Sequence, residues 1–167
     1  MRSSAEPRSF LNIDEMSQSD LAIVLEHART LRLAAHDDAI QPLLRGRNLA
    51  LLSEADGGED ATLFRRAAVE LGAHVAHVRP SLSEQSTPDQ VRKTAKMLGR
   101  LYDALECHGL DPDLVRQVGR EAGVPVYCGL ASPGHATAAL VQLIVGDEPP
   151  ADKRRFVLQA VLLSTIA

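Results

Sequence analysis

The sequence predicts an α/β domain: three layers, doubly wound around a four-stranded parallel sheet. Three observations predict it. Short apolar runs alternate with segments of helical periodicity along most of the 167 residues. Clusters of Gly, Pro, Ser and Asp separate them at spacings that suit strand–helix–strand crossovers. The length is that of one domain, enough for a core and too short for two full α/β units.

Each element has its own signal. After a polar leader, Ser17-Gln18-Ser19-Asp20 precedes Leu21, Val24, Leu25, Ala28 and Leu31, an apolar stripe at helical spacing with Ser or Asp available as N-cap. Gly46-Arg47 leads into the apolar run Asn48 to Ser53, which ends at Asp56-Gly57-Gly58 and reads as a buried strand and a tight turn. Leu63, Phe64, Ala67, Ala68 and Leu71 predict a helix stopped by Gly72, and His74 to Val78 a second strand closed by Pro80. The polar stretch Ser81 to Pro88 is a loop. Val91 to Leu101 resumes helical spacing and Asp103 to Cys107 forms a third strand. Asp111-Pro112-Asp113 starts a helix that Gly123 ends, and Val124-Pro125-Val126-Tyr127 makes a fourth strand. Pro133 to Val145 reads as a helix. Beyond the breaker Gly146 to Pro150, Asp152 to Ile166 reads as an amphipathic helix through Phe156, Val157, Ala160, Val161 and Leu163.

Composition narrows the function classes. Hydrophobic residues make up 45%, charged residues 24% and aromatics 3%, so an ordinary globular chain with an aliphatic core is expected. A net charge of -4 gives no general attraction to nucleic acid or anionic lipid. No apolar run reaches the roughly 20 residues that span a bilayer, and the start of the chain has no signal-peptide character. A cytoplasmic protein is expected, with small molecules or proteins as partners. Cys107 and Cys128 form neither a disulfide framework nor a CxxC pair, which fits a reducing compartment.

Right-handed crossovers bring every C-terminal strand end to one edge of a parallel sheet, where ligands of such folds bind. The loops at that edge are Glu54 to Asp60, Arg79 to Thr87, Cys107 to Asp111 and Cys128 to His135. Cys107, His108, Cys128 and His135 all fall there. Zinc or Cys–His chemistry is conceivable for such a set, but its spacing is irregular, and Cys107 and His108 point to opposite faces of their strand. Buried cysteines and partly exposed histidines are the expected reading. Gly57-Gly58 lacks the Lys of a phosphate-binding P-loop and reads as a permissive turn. Lys153-Arg154-Arg155 and Arg65-Arg66 read as solvated faces.

Several segments carry a resemblance: Ser9-Phe10-Leu11-Asn12-Ile13; Leu43-Leu44-Arg45-Gly46-Arg47-Asn48-Leu49-Ala50-Leu51; Ala67 to Val75; Thr94 to Ala104; and Val124-Pro125-Val126-Tyr127-Cys128-Gly129-Leu130. They resemble the first, carbamoyl-phosphate-binding domain of ornithine carbamoyltransferases, over about residues 9–145. Asp152-Lys153-Arg154-Arg155-Phe156 and the residues after it resemble that family's final helix, which returns to pack on the first domain. The resemblance implies one domain over 1–167. In it, a linker at 146–151 replaces the second, amino-acid-binding domain, and 152–167 is the returning terminal helix.

The same resemblance locates the site and its departures. The family's S-T-R-T-R phosphate motif falls on Gly57, Gly58, Glu59, Asp60 and Ala61, so two carboxylates stand where basic and hydroxyl groups bind phosphate. Glu59 or Asp60 then serves as a capping and helix-dipole residue. The family's arginine after the third strand falls on His108, and its HPxQ motif becomes His135-Ala136-Thr137-Ala138. Only His135 is left to polarise a carbonyl oxygen, since Ala138 cannot hydrogen-bond a carbamoyl group. A protein without carbamoyl transfer of its own is implied, with no cofactor. Its expected partners are further copies in a homotrimer or a full-length carbamoyltransferase. A small-molecule ligand of altered, cationic preference is the other reading, because Glu54, Asp56, Glu59 and Asp60 make the former cradle acidic.

Overall fold

The structure is a computed structural model that describes residues 16–55 and 58–166. The match at Ser9 to Ile13, and the positions of Asp56 and Gly57, lie outside the described residues. Helix α1 spans Gln18–His36, β1 Asn48–Leu52, α2 Gly58–Glu70, β2 His74–Val78 and α3 Pro88–Leu101. Then come β3 Ala104–Cys107, α4 Pro112–Ala122, β4 Val126–Cys128, a 3-10 helix Ala136–Leu143 and α5 Pro150–Ile166. The four strands pair in parallel in the order β2-β1-β3-β4. An α/β fold with a four-stranded parallel sheet is therefore what the chain adopts.

Local chemistry sets the helix starts. Ser17 caps α1 by accepting from the Asp20 N–H at 3.1 Å, while the Asp20 carboxylate accepts from the Ser17 N–H at 3.1 Å. Thr87 and Gln90 make the same reciprocal pair at α3, with Pro88 in its first turn. The Asp111 carboxylate caps α4, which ends at Gly123 with φ 74°, the left-handed conformation that a side chain resists.

The sheet divides two cores. Leu49, Leu51 and Tyr127 face a cluster completed by α1, α2 and α5, including Ala28, Phe64, Ala67, Val157 and Leu158. Ala50, Leu52, Leu105, Cys107 and Val126 face the other way, onto Val91, Leu98, Leu114, Val115 and Val118 of α3 and α4. Strict alternation along each strand produces this split. Helices α3 and α4 approach so closely that a Cβ on Gly99 would lie 1.8 Å from the Ala122 carbonyl oxygen.

Four expectations need correction. Pro133 to Val145 is not an α-helix: residues 136–143 form a 3-10 helix, a distinction that apolar periodicity cannot make over so short a run. The fourth strand begins at Val126, since Pro125 has no N–H to give the ladder and contributes only its carbonyl, which accepts from Leu105 at 2.9 Å. Helix α5 is not amphipathic, because residues 154–162 are buried on every side among α1, α2 and the 3-10 helix. Arg154 and Arg155 are accordingly not a solvated face. Arg155 pairs with Glu70 at 2.9 Å and Asp152 at 2.7 Å, and Gln159 donates to the Ala67 carbonyl at 3.3 Å. Among the described residues no helix is long and apolar enough to cross a membrane.

Candidate functional site

The site region is assembled where β1, β3 and β4 end. Gly58 opens α2 with φ 60°, followed by exposed Glu59, half-buried Asp60 and buried Ala61. Both carboxylates lie in the first turn, where the positive end of the helix dipole favours them and where they repel an incoming anion. A cleft of about 520 Å³ opens beside this turn, lined by Gly58, Glu59, Thr62, Leu63 and Arg66. His108 is half-buried just after β3, and its N–H donates to the Leu52 carbonyl at 2.9 Å. Ala138 is half-buried on the 3-10 helix.

His135 is buried rather than partly exposed, which corrects the expectation for this histidine. It caps the 3-10 helix: the Thr137 N–H donates to His135 Nδ1 at 3.2 Å. A ring nitrogen that accepts from an amide carries no proton, so the proton of the neutral ring sits on Nε2. That Nε2 is buried without a partner among the described residues. Burial and the nearby Arg154 charge hold the imidazole pKa down at about 4, so the ring is a neutral donor near pH 7.

Arg154 reaches this place from α5. Its Nη1 donates to Thr137 Oγ1 at 2.7 Å and its Nη2 donates to the Leu130 carbonyl. On the neighbouring strand Glu106 accepts from the Leu130 N–H at 3.0 Å and from Gly129. The segment 129–137 is thus held from below by a carboxyl and from the side by a guanidinium. Burial raises the Glu106 pKa to about 8, against the pull of the two amides and Arg154. Burial lowers the Arg154 pKa, while Asp60 and Glu106 oppose that shift with their charges. The structure therefore brings together His135, Thr137, Arg154, Glu106 and Asp60, and leaves His108 and Ala138 at the margin.

Residues 8–148 match the model of the aspartate/ornithine carbamoyltransferase, carbamoyl-P binding domain. The chain belongs to this family. It is 32% identical over 151 residues to a catabolic ornithine carbamoyltransferase of Burkholderia mallei, covering 88% of this chain and 45% of that protein. To a catabolic ornithine carbamoyltransferase of Staphylococcus epidermidis it is 30% identical over 141 residues, 84% of this chain and 42% of the relative. Among solved structures, the ornithine carbamoyltransferase of Pyrococcus furiosus superposes with a TM-score of 0.71 at 23% identity, over 82% of this chain and 44% of that one. That of Burkholderia thailandensis gives 0.69 at 21%, over 81% and 47%. The chain spans less than half the length of these relatives.

The loops after β1, β3 and β4 thus lie at one edge of a carbamoyl-phosphate-binding-type domain. Sequence reasoning missed Glu106 and assigned Arg154 to solvent. A carboxylate inside the apolar run Ala104 to Cys107 was the available signal, since a charged residue in a doubly covered strand must find buried partners. Thr137 lay inside the motif but was given no role. It is the hydroxyl that joins His135 to Arg154.

Proposed function

We propose that this chain is a noncatalytic carbamoyltransferase-like module whose role lies in assembly, as a homotrimer or with a full-length carbamoyltransferase in the cytoplasm. The observation that carries this reading is the first turn of α2, where Glu59 and Asp60 occupy the phosphate-binding positions implied by the resemblance. Two carboxylates there repel a doubly charged phosphate, where a basic pair would attract it. Losing one good transition-state donor typically lowers a rate about 10²–10³-fold, and here several are absent at once. In this reading residues 146–151 stand in place of the second domain, and α5 is the family's returning helix, kept because it covers the core beside α1 and α2.

A second reading rests on His135. Its buried, unpartnered Nε2–H is a donor waiting for an acceptor oxygen, as on a carbonyl or carbamoyl group, and a partner protein would then supply the amino-acid domain. Calorimetric titration of carbamoyl phosphate into the chain, with molar mass followed by light scattering, separates the two. A folded trimer that takes up no carbamoyl phosphate supports the assembly module. Micromolar binding that survives Glu59→Arg with Asp60→Arg but is lost in His135→Ala supports the ligand-binding subunit and overturns the first reading.

A further inference from the structure

The two cysteines lie outside the cluster just described, on the opposite face of the sheet. Cys107 ends β3 and Cys128 ends β4, and the two are direct partners in the parallel register. Registered residues of neighbouring strands present their side chains to the same face, here the apolar side covered by α3 and α4. Cys107 is 1% exposed, whereas Cys128 is half-buried and reachable from the edge. Cys128 acts electrostatically on the Cys107 thiol, and burial raises both pKa values.

Spacing selects what such a pair can hold. Registered Cβ atoms of flat parallel strands stay about one strand spacing apart, about 4.8 Å. A disulfide draws its Cβ atoms to about 3.8 Å, so closing one here would pull β3 and β4 together against their own ladder. An ion seated between the sulfurs needs no such closure. Among the described residues no group of three or more His, Cys, Asp or Glu side chains could hold a metal ion, so a tetrahedral zinc site has no ligand set here. Two thiolates in an apolar surround suit a soft, low-coordinate d¹⁰ cation instead.

We propose that Cys107 and Cys128 form a two-coordinate site for a soft monovalent cation of the copper(I) class. Binding replaces two S–H protons by one cation, two S–metal bonds forming and two protons leaving to solvent, with no change of oxidation state. The resulting complex carries one net negative charge. Arg116 of α4 lends Cys128 a positive field that offsets part of it, while Glu106, acting on both thiols, and Asp111 oppose. Entry is by way of Cys128, with Cys107 completing the site from within.

Anaerobic titration of copper(I) into the full chain, against a coloured copper(I) chelator, tests this. The expected result is one ion retained per chain, with a thiolate-to-copper ultraviolet band and a matching mass by native mass spectrometry. Cys128→Ser, at the more exposed position, should surrender the ion to the chelator and lose the band. Because a buried hydroxyl at 107 lacks a partner, Cys107→Ala serves there, with circular dichroism confirming the fold, and it should lose the ion as well. Retention of the ion by folded Cys128→Ser, or by the doubly substituted Cys107→Ala, Cys128→Ser chain, overturns the site. So does an unsubstituted chain that yields all its copper to the chelator.

Discussion

The face of the sheet covered by α3 and α4 is apolar apart from its two thiols, whereas the face covered by α1, α2 and α5 encloses Glu106, His135, Thr137, Arg154 and Gln159. The first is closed by shape, with Gly99 admitting the Ala122 backbone and aliphatic side chains filling the rest. The second is closed by charge, and each buried polar group depends on another. Removing a methyl group from the first face leaves a hole, while removing a partner from the second leaves a charge or a hydrogen-bonding group in low dielectric.

The comparison is most easily broken at Arg154. Arg154→Ala strands the Leu130 carbonyl, leaves Thr137 Oγ1 only its His135 contact and removes the positive field beside Glu106, and a buried polar group left without its partner costs about 1–3 kcal/mol, more where a charge is involved. Urea unfolding measures it, and a loss below 1 kcal/mol would mean that the guanidinium is not structural. On the other face Gly99→Ala forces α3 and α4 apart, an overpacking that costs about 1–3 kcal/mol. Because the faces share no side-chain partners, the Arg154→Ala, Gly99→Ala double variant should be additive to within about 0.5 kcal/mol, whereas Arg154→Ala with Glu106→Gln should not.

Proton linkage sharpens the same contrast. Glu106 has its folded pKa raised from 4.5 to about 8, so its contribution is fully present below pH 4.5 and is lost as pH rises toward 8. His135 has its folded pKa lowered from 6.5 to about 4, so its contribution is present above pH 6.5 and is lost as pH falls toward 4. Between pH 4.5 and 6.5 the two slopes oppose each other, and these groups together give a plateau with a falling limb on either side. Denaturant unfolding across pH should show Glu106→Gln flattening the alkaline limb and turning the plateau between pH 4.5 and 6.5 into a rise with pH, the His135 slope now unopposed. An alkaline limb that persists in this variant would assign it to another group. The smallest effect belongs to neither core: Thr87→Ala removes the α3 cap and should cost about 1 kcal/mol, read as a shift in urea midpoint at unchanged slope.

How legible this was differs by face. Val91, Ala95 and Leu98 of α3 and Leu114, Val115 and Val118 of α4 repeat at helical spacing, and their burial follows from that pattern. The caps Ser17, Thr87 and Asp111 are local, each side chain bonding to a backbone group two or three residues away. The strand-end positions of Gly58 to Ala61 and of His135 could be expected from the family resemblance. Their environment could not: Arg154 meets Leu130 across 24 residues, and Arg155 meets Glu70 through a packed interface. A basic triplet in a helix looks the same whether it faces water or a buried carbonyl.

What the sequence determined by itself was the order of helices and strands, the parallel sheet and the edge at which a site would lie, because periodicity, capping and turn chemistry act over a few residues. Only the tertiary structure decided that α5 is enclosed on all sides, that Glu106 and Arg154 clamp the His135 segment, and that two thiols stand side by side. Burial, charge pairing and strand register are relations between distant residues, and they exist only once the chain has closed on itself.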